Sequence, residues 1–97
     1  MLFRSRMIVR WTTAAAQDLT RITRHIRRDN PTAARNVAKT IFDAGNAFET
    51  FPNRGREGRI PSTREIVFPG WPFILVYQVT QNAVEILSIY HGAQDWP

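Results

Sequence analysis

The stretch PFILVYQVTQNAVEILSIYH, residues 72–91, decides the fold. Residues 72–79 form a continuous apolar run, which is typical of a strand that is buried on both faces. Residues 80–82 are polar and suit a turn. Residues 83–91 then return with the β-branched and aromatic side chains of another strand. The stretch therefore predicts an antiparallel β-hairpin at the centre of the molecule.

The segments on the N-terminal side of this hairpin extend the sheet. TREIVF, residues 63–68, predicts a third strand, which Pro69 and Gly70 end. Residues 7–11 predict a short strand of β-branched and aromatic side chains. Residues 1–6 are basic and without pattern, so we expect a poorly ordered leader there.

Between the predicted strands at residues 7–11 and 63–68, two apolar stripes recur with the 3.6-residue period of a helix. The first helix begins at Thr12 or Thr13 as the cap, and its stripe is Ala15, Leu19, Ile22 and Ile26. Asn30 and Pro31 signal the start of the second helix. Its stripe is Ala34, Val37, Ala38, Ile41, Ala44, Phe48 and Phe51, and Pro52 ends it.

The order β-α-α-β-β-β predicts an α+β domain. We expect a three-stranded antiparallel meander with a helical hairpin on one face and the first strand added at an edge. With 97 residues, the chain has enough length for one core only, so residues 1–97 form a single domain.

The basic residues are confined to the front of the chain. Residues 1–64 contain all thirteen Lys and Arg with five acidic residues, a formal charge of +8, whereas residues 65–97 contain three acidic residues and no basic one, a charge of −3. The front therefore suits an acidic partner. Arg21, Arg24 and Arg28 have the spacing of an ordinary solvated helix face.

The composition argues against several classes of function. The chain has no cysteine, and His25 and His91 are far apart in sequence, so we expect neither a disulfide framework nor a metal site. No cofactor is expected. The longest apolar stretch, residues 73–77, is too short for a bilayer. We expect a soluble, cytoplasmic protein.

Two sets of residues are candidates for a site. Arg54, Arg56 and Arg59 lie in a Gly- and Pro-rich loop and suit contacts to phosphates or to an acidic partner; the alternative is a solvated loop. Trp96 is a candidate partner contact or packs on the sheet.

Arg64, Tyr90 and His91 suit RNA cleavage, with His91 and Tyr90 exchanging protons and Arg64 stabilising the phosphate. The alternative is that Tyr90 caps the core and His91 ends a strand. Strict alternation places Tyr90 on the face of Val84 and Ile86.

The motifs W-T-x-x-A-x-x-D-L at residues 11–19, D-N-P-x-A-A at 29–34, G-R-x-G-R-x-x-x-T-R-E at 55–65, I-L-V-Y at 74–77 and the ending I-Y-H-G-A-Q-D-W-P resemble the RelE/ParE superfamily of toxins from type II toxin–antitoxin modules. The resemblance covers the chain from Met7 onward. It implies a bacterial toxin of the plasmid stabilisation type that a cognate antitoxin neutralises in a hetero-oligomer.

The superfamily has two branches, RelE-like and ParE-like, and the resemblance implies a different mechanism for each branch. RelE-like members cut mRNA on the ribosome with basic residues on several strands, and Arg64, Tyr90 and His91 match their catalytic positions. ParE-like members poison DNA gyrase by protein binding. Since residues 72–91 lack any basic side chain other than His91, we expect the ParE-like mechanism, with the RelE-like endoribonuclease as the alternative.

Overall fold

The protein is an α+β domain in which two helices cover one face of a five-stranded sheet; a computed structural model describes its residues 7–92. The elements are β1 (Ile8–Trp11), α1 (Thr13–Arg27), α2 (Pro31–Asn46), a 3-10 turn (Ala47–Glu49), β2 (Arg56–Glu57), β3 (Arg64–Val67), β4 (Phe73–Val79) and β5 (Ala83–His91). The predicted order is confirmed, and β2 is an addition. The predicted leader and Trp96 lie outside the described residues.

Both helices begin at the predicted capping residues. The Thr12 hydroxyl accepts a hydrogen bond from the Ala15 N–H at 3.1 Å. The side-chain oxygen of Asn30 accepts one from the Ala33 N–H at 3.0 Å, and Pro31 is the first helical residue. Each cap satisfies a backbone donor that has no partner inside the helix, which is worth about 1 kcal/mol.

The strand order is β1-β5-β4-β3-β2. β1 runs parallel to β5, and the other neighbouring strands are antiparallel, which confirms the meander and the first strand at an edge. The face toward the helices, here the helix face, holds the core, whose fully buried side chains include Ile41, Phe48, Leu75, Tyr77 and Ile86. The other face, here the open face, holds a smaller cluster of Ile74, Val76 and Tyr90. β4 is thus buried on both faces, as predicted.

A β-bulge at Leu87 corrects the predicted facing of Tyr90. Ile86 pairs with Tyr77 and Ser88 pairs with Val76, so Leu87 of β5 has no pairing partner on β4. An extra residue reverses the alternation beyond it. Tyr90 therefore lies on the open face, opposite to Val84 and Ile86, and the prediction that these three share a face is wrong. His91 still points away from Tyr90.

The start of α1 provides partners for the backbone of β5 where β1 has ended. The Thr12 hydroxyl lies 2.8 Å from the Ile86 carbonyl and 3.2 Å from that of Leu87. Farther along, the Asp18 carboxylate accepts a hydrogen bond from the Ile89 N–H at 3.0 Å. Thr12 and Asp18 therefore act as side-chain substitutes for a neighbouring strand. Two residues of the motif at residues 11–19, Thr12 and Asp18, thus serve to hold α1 against β5.

The second predicted stripe is correct up to Phe48 and wrong at Phe51. α2 ends at Asn46, and the tighter 3-10 turn that follows changes the angle per residue. Phe48 still reaches the core, where its ring stacks on Tyr77 with centroids 4.0 Å apart. Phe51 is 63% exposed instead.

Candidate functional site

The basic loop between α2 and β3, here residues 54–63, is fastened to the open face by one buried carboxylate. Glu65 is 2% exposed. Its Oε1 accepts hydrogen bonds from Arg56 Nε at 3.1 Å and Arg56 Nη2 at 2.9 Å. Its Oε2 accepts one from the Arg59 N–H at 3.1 Å. Both carboxylate oxygens are used, so Glu65 fixes the loop at two points.

A second anchor reaches the same loop from the helix face. The Gly55 N–H donates to the buried Tyr77 hydroxyl at 2.8 Å. A Cβ atom at Gly55 would lie 2.7 Å from that hydroxyl oxygen, and a Cβ atom at Gly58 would overlap Thr63 Oγ1. The two glycines of the G-R-x-G-R motif are therefore required by close approach of the backbone.

Arg64 belongs to this second anchor. It pairs with Tyr77 across the sheet and so faces the helices. Its Nη1 donates to the Gly55 carbonyl at 2.7 Å and to the Asn53 carbonyl at 3.2 Å. The guanidinium group thus holds the start of the basic loop in place.

The predicted catalytic residues do not converge on one point. Arg64 is level with Tyr77 on β4 and Tyr90 is level with Ile74, three positions apart, or about 10 Å along the strand. The two side chains also point to opposite faces. His91 packs edge-on against Phe73 on the helix face, with ring centroids 5.9 Å apart. No two of these three side chains lie close together on the same face of the sheet.

The sheet brings Tyr90 close to the basic loop instead. Burial raises the pKa of the Tyr90 hydroxyl, and the nearby Glu65 carboxylate raises it further, while Arg59 and Arg56 oppose the shift. The hydroxyl is therefore neutral at physiological pH. Ser88 Oγ is also buried on this face, with no hydrogen-bond partner among the described residues.

Arg54 differs from the other two arginines of the basic loop. Arg54 is exposed and lines a shallow depression of about 530 Å³ with Phe51 and Pro52. It forms no ion pair within residues 7–92, in contrast to Arg56. The structure thus separates the three loop arginines into two that are tied to Glu65 and one that projects from the surface.

A groove runs along the outer side of α1. Two adjoining cavities of about 660 and 390 Å³ share Arg21 and His25 as lining residues. The first extends from Trp11 to Arg28, and the second reaches Phe73 and His91. Sequence reasoning placed Arg21, Arg24 and Arg28 on a solvated face and missed the groove. Trp11, directly before the helix, was the available signal.

Two features are absent from residues 7–92. No cluster of three or more His, Cys, Asp or Glu side chains is placed to hold a metal ion. No helix among them is both long enough and apolar enough to cross a bilayer.

The fold and these basic surfaces define a class: the small α+β toxins of the RelE/ParE superfamily. The chain belongs to the ParE toxin family, since the sequence model described as "ParE toxin of type II toxin-antitoxin system, parDE" matches residues 9–96. It is a toxin of a type II toxin–antitoxin system. The superfamily resemblance predicted from the motifs is confirmed.

Two relatives match over nearly the whole chain. The putative toxin Y4kP of Sinorhizobium fredii is 42% identical over 93 residues, which are 96% of each chain. The toxin RelE2 of Caulobacter vibrioides is 33% identical over 84 residues, 87% of this chain and 93% of the relative. The relatives thus include one that carries the RelE name.

Solved structures confirm the fold. A chain of the chromosomal ParDE toxin–antitoxin system from P. aeruginosa matches with a TM-score of 0.81 at 26% identity, over 91% of this chain and 98% of that one. A chain of the RelBE2 toxin–antitoxin complex from Mycobacterium tuberculosis matches with a TM-score of 0.58 at 22% identity, over 95% and 98%.

Proposed function

We propose that this toxin is a ParE-like inhibitor of DNA gyrase that acts by binding the enzyme, and that a cognate antitoxin neutralises it by direct contact. The observation that carries the proposal is the dispersion of Arg64, Tyr90 and His91 over two faces of the sheet. A nuclease needs a base, an acid and a phosphate-stabilising cation around one reacting group. A protein that acts by binding does not.

The state of Tyr90 supports the same proposal. A general base works best when its pKa is near the working pH. Burial and Glu65 move the pKa of Tyr90 in the opposite direction, above 10.0. Arg56, on β2, already binds the Glu65 carboxylate. Its charge is therefore partly neutralised and is less able to stabilise a pentavalent phosphate.

The antitoxin part of the proposal is supported by the relatives, because the solved structures that match come from toxin–antitoxin systems. We further propose a cytoplasmic location, where gyrase works, a role in stabilising the replicon that carries the module, and action without a cofactor.

A supercoiling assay tests the target. Purified toxin is titrated into gyrase, relaxed plasmid and ATP, and we expect loss of negatively supercoiled product at micromolar toxin. The matched control is the toxin premixed with its antitoxin, which should restore supercoiling. Unchanged supercoiling at micromolar toxin would reject gyrase as the target.

The alternative, a RelE-like ribosome-dependent mRNA endoribonuclease, is favoured by one feature: Tyr90 lies on the same face as Arg56 and Arg59. Primer extension on translated mRNA after induction tests it. The alternative requires new cleavage ends that disappear in Tyr90→Phe and persist in the control Arg54→Ala. Our proposal expects no new ends with the unmodified toxin.

A further inference from the structure

The end of the helical hairpin carries a cluster of arginines. The last turn of α1, the connecting turn and the start of α2, here the hairpin tip (residues 24–35), contain four arginines and one aspartate, a formal charge of +3. The arginines are Arg24, Arg27, Arg28 and Arg35, and all four are exposed. They form no ion pair within residues 7–92. The described part of the chain therefore leaves the charge of the tip uncompensated.

Two of these arginines line one depression from different helices. Arg27 of α1 and Arg35 of α2 border a depression of about 340 Å³. Its apolar lining consists of the small side chains of Pro31, Ala34 and Ala38, and no acidic side chain lines it. Two like charges at one depression repel each other unless an anion enters. An anionic group in this position would have a guanidinium group on either side.

Helix stability explains only some of these arginines. Arg24 and Arg27 lie in the last turn of α1, where cations are favourable for the helix dipole. Arg35 lies in the second turn of α2, near the positive end of that helix, where a cation gains nothing from the dipole. Its guanidinium group donates to the Thr32 hydroxyl at 3.3 Å, which keeps it at this end of the helix. A role in binding an anion accounts for Arg35, whereas helix stability does not.

The absence of large apolar side chains indicates the class of anion. The exposed large hydrophobic residues of the described chain all lie outside residues 24–35. Protein interfaces depend on aromatic and aliphatic anchors, and single-stranded nucleic acids need aromatic rings for base stacking. Contacts to the backbone of a duplex need only charge and hydrogen-bond donors. The hairpin tip therefore suits the phosphates of a nucleic-acid duplex.

We propose that the hairpin tip binds the sugar–phosphate backbone of duplex DNA without reading its sequence. Packed helices lie about 8–10 Å apart, so the arginines of α1 and Arg35 together span several phosphates, which follow one another about every 3.4 Å along each strand. The inference goes beyond the gyrase proposal, because the ligand is DNA itself and the contact needs no second protein.

Salt-dependent binding of a short labelled DNA duplex of arbitrary sequence tests the inference. Fluorescence anisotropy gives the association constant of the purified toxin over a series of salt concentrations. Each phosphate contact adds about 0.9 to the steepness of the plot of log association constant against log salt, so four arginines should give a slope of about −3.5.

A pair of alanine variants, matched in charge, locates the contact. Arg27→Ala with Arg35→Ala should weaken binding at least about 10-fold and make the slope shallower by about 2. The control, Arg10→Ala with Arg54→Ala, removes the same charge from β1 and the basic loop and should change the slope by less than about 0.5. Alanine favours helices, and circular dichroism checks the fold. Arg27→Gln with Arg35→Gln should give the same ranking should the alanine variant fold poorly.

Four results would overturn the inference: equal losses in the tip variant and the control, an affinity that does not depend on salt, tighter binding of single-stranded DNA or duplex RNA of the same sequence, or tighter binding of anionic phospholipid vesicles. The assay contains no gyrase. Failure of the gyrase proposal would therefore be seen in the supercoiling assay alone, and failure of the DNA contact in the anisotropy assay alone.

Discussion

The two faces of the sheet hold the same basic loop in different ways. On the helix face, the neutral Tyr77 hydroxyl and Arg64 bind the backbone at Gly55. On the open face, the buried charge of Glu65 binds Arg56 and the backbone of Arg59. A packed core thus supports one anchor, and an ion pair at the rim of a small cluster supports the other. Truncation of the core on the helix face should therefore cost more stability than truncation of the open-face cluster, whereas the buried charge makes the open-face anchor the more sensitive of the two anchors.

Truncation in the core should give the largest effect. Phe48→Ala removes a fully buried ring that stacks on Tyr77, so we expect the free energy of unfolding to fall by about 4 kcal/mol. Leu87→Ala, on the half-buried edge of the open-face cluster, should cost about 1 kcal/mol. Urea unfolding measures both. A larger loss for Leu87→Ala would reverse the ranking of the two faces.

The open-face anchor should give the next effect. Arg56→Ala leaves the carboxylate of Glu65, whose side chain is 1% exposed, without its ion-pair partner. We expect a loss of about 2 kcal/mol, because a buried charge is then uncompensated. Arg54→Ala is the matched control and should change stability by less than about 0.5 kcal/mol. Thermal unfolding measures both variants, and equal losses of stability in Arg56→Ala and Arg54→Ala would mean that Glu65 does not depend on Arg56.

Loss of the helix-face anchor should lower the free energy of unfolding by about 1 kcal/mol and should alter the dependence of stability on pH. Tyr77→Phe leaves the Gly55 N–H without its acceptor. Burial raises the pKa of Tyr77 above 10.0, so the unfolded chain loses this proton first as the pH rises. The contribution is therefore complete below pH 10 and is lost above it. Unfolding from pH 8 to 11 should show a shallower alkaline decline in the variant, and equal declines would contradict this cause.

A surface pair far from both anchors should give the smallest effect. Lys39 and Asp43 are 2.6 Å apart, with side chains 76% and 57% exposed. Asp43→Asn should cost at most about 0.5 kcal/mol, and salt should remove the difference. A loss comparable to that of Arg56→Ala would show that exposure does not separate the two ion pairs.

The residues that the sequence predicted well are those with local causes. Thr12 and the Asn30–Pro31 pair mark helix starts by chemistry within one turn, and the run at residues 72–79 is apolar because both of its faces are covered. The assignments that failed depend on distant partners. The bulge at Leu87 lies where Thr12 and Asp18 provide hydrogen bonds for β5, and no pattern within residues 83–91 contains that information.

The candidate site was harder to predict for the same reason. Arg64, Tyr90 and His91 are plausible by residue type, yet facing and register disperse them. Charge counting placed the basic residues at the front of the chain but did not show that Glu65 neutralises Arg56 or that Arg24 and Arg28 border a groove. These relations arise only when separate elements pack together.

The most direct test of the account follows plasmid topology and mRNA ends in the same culture after induction of the toxin without its antitoxin. The account predicts that a reporter plasmid loses negative supercoiling while its translated mRNA stays intact. Unchanged plasmid supercoiling together with new cuts in the translated mRNA would contradict it.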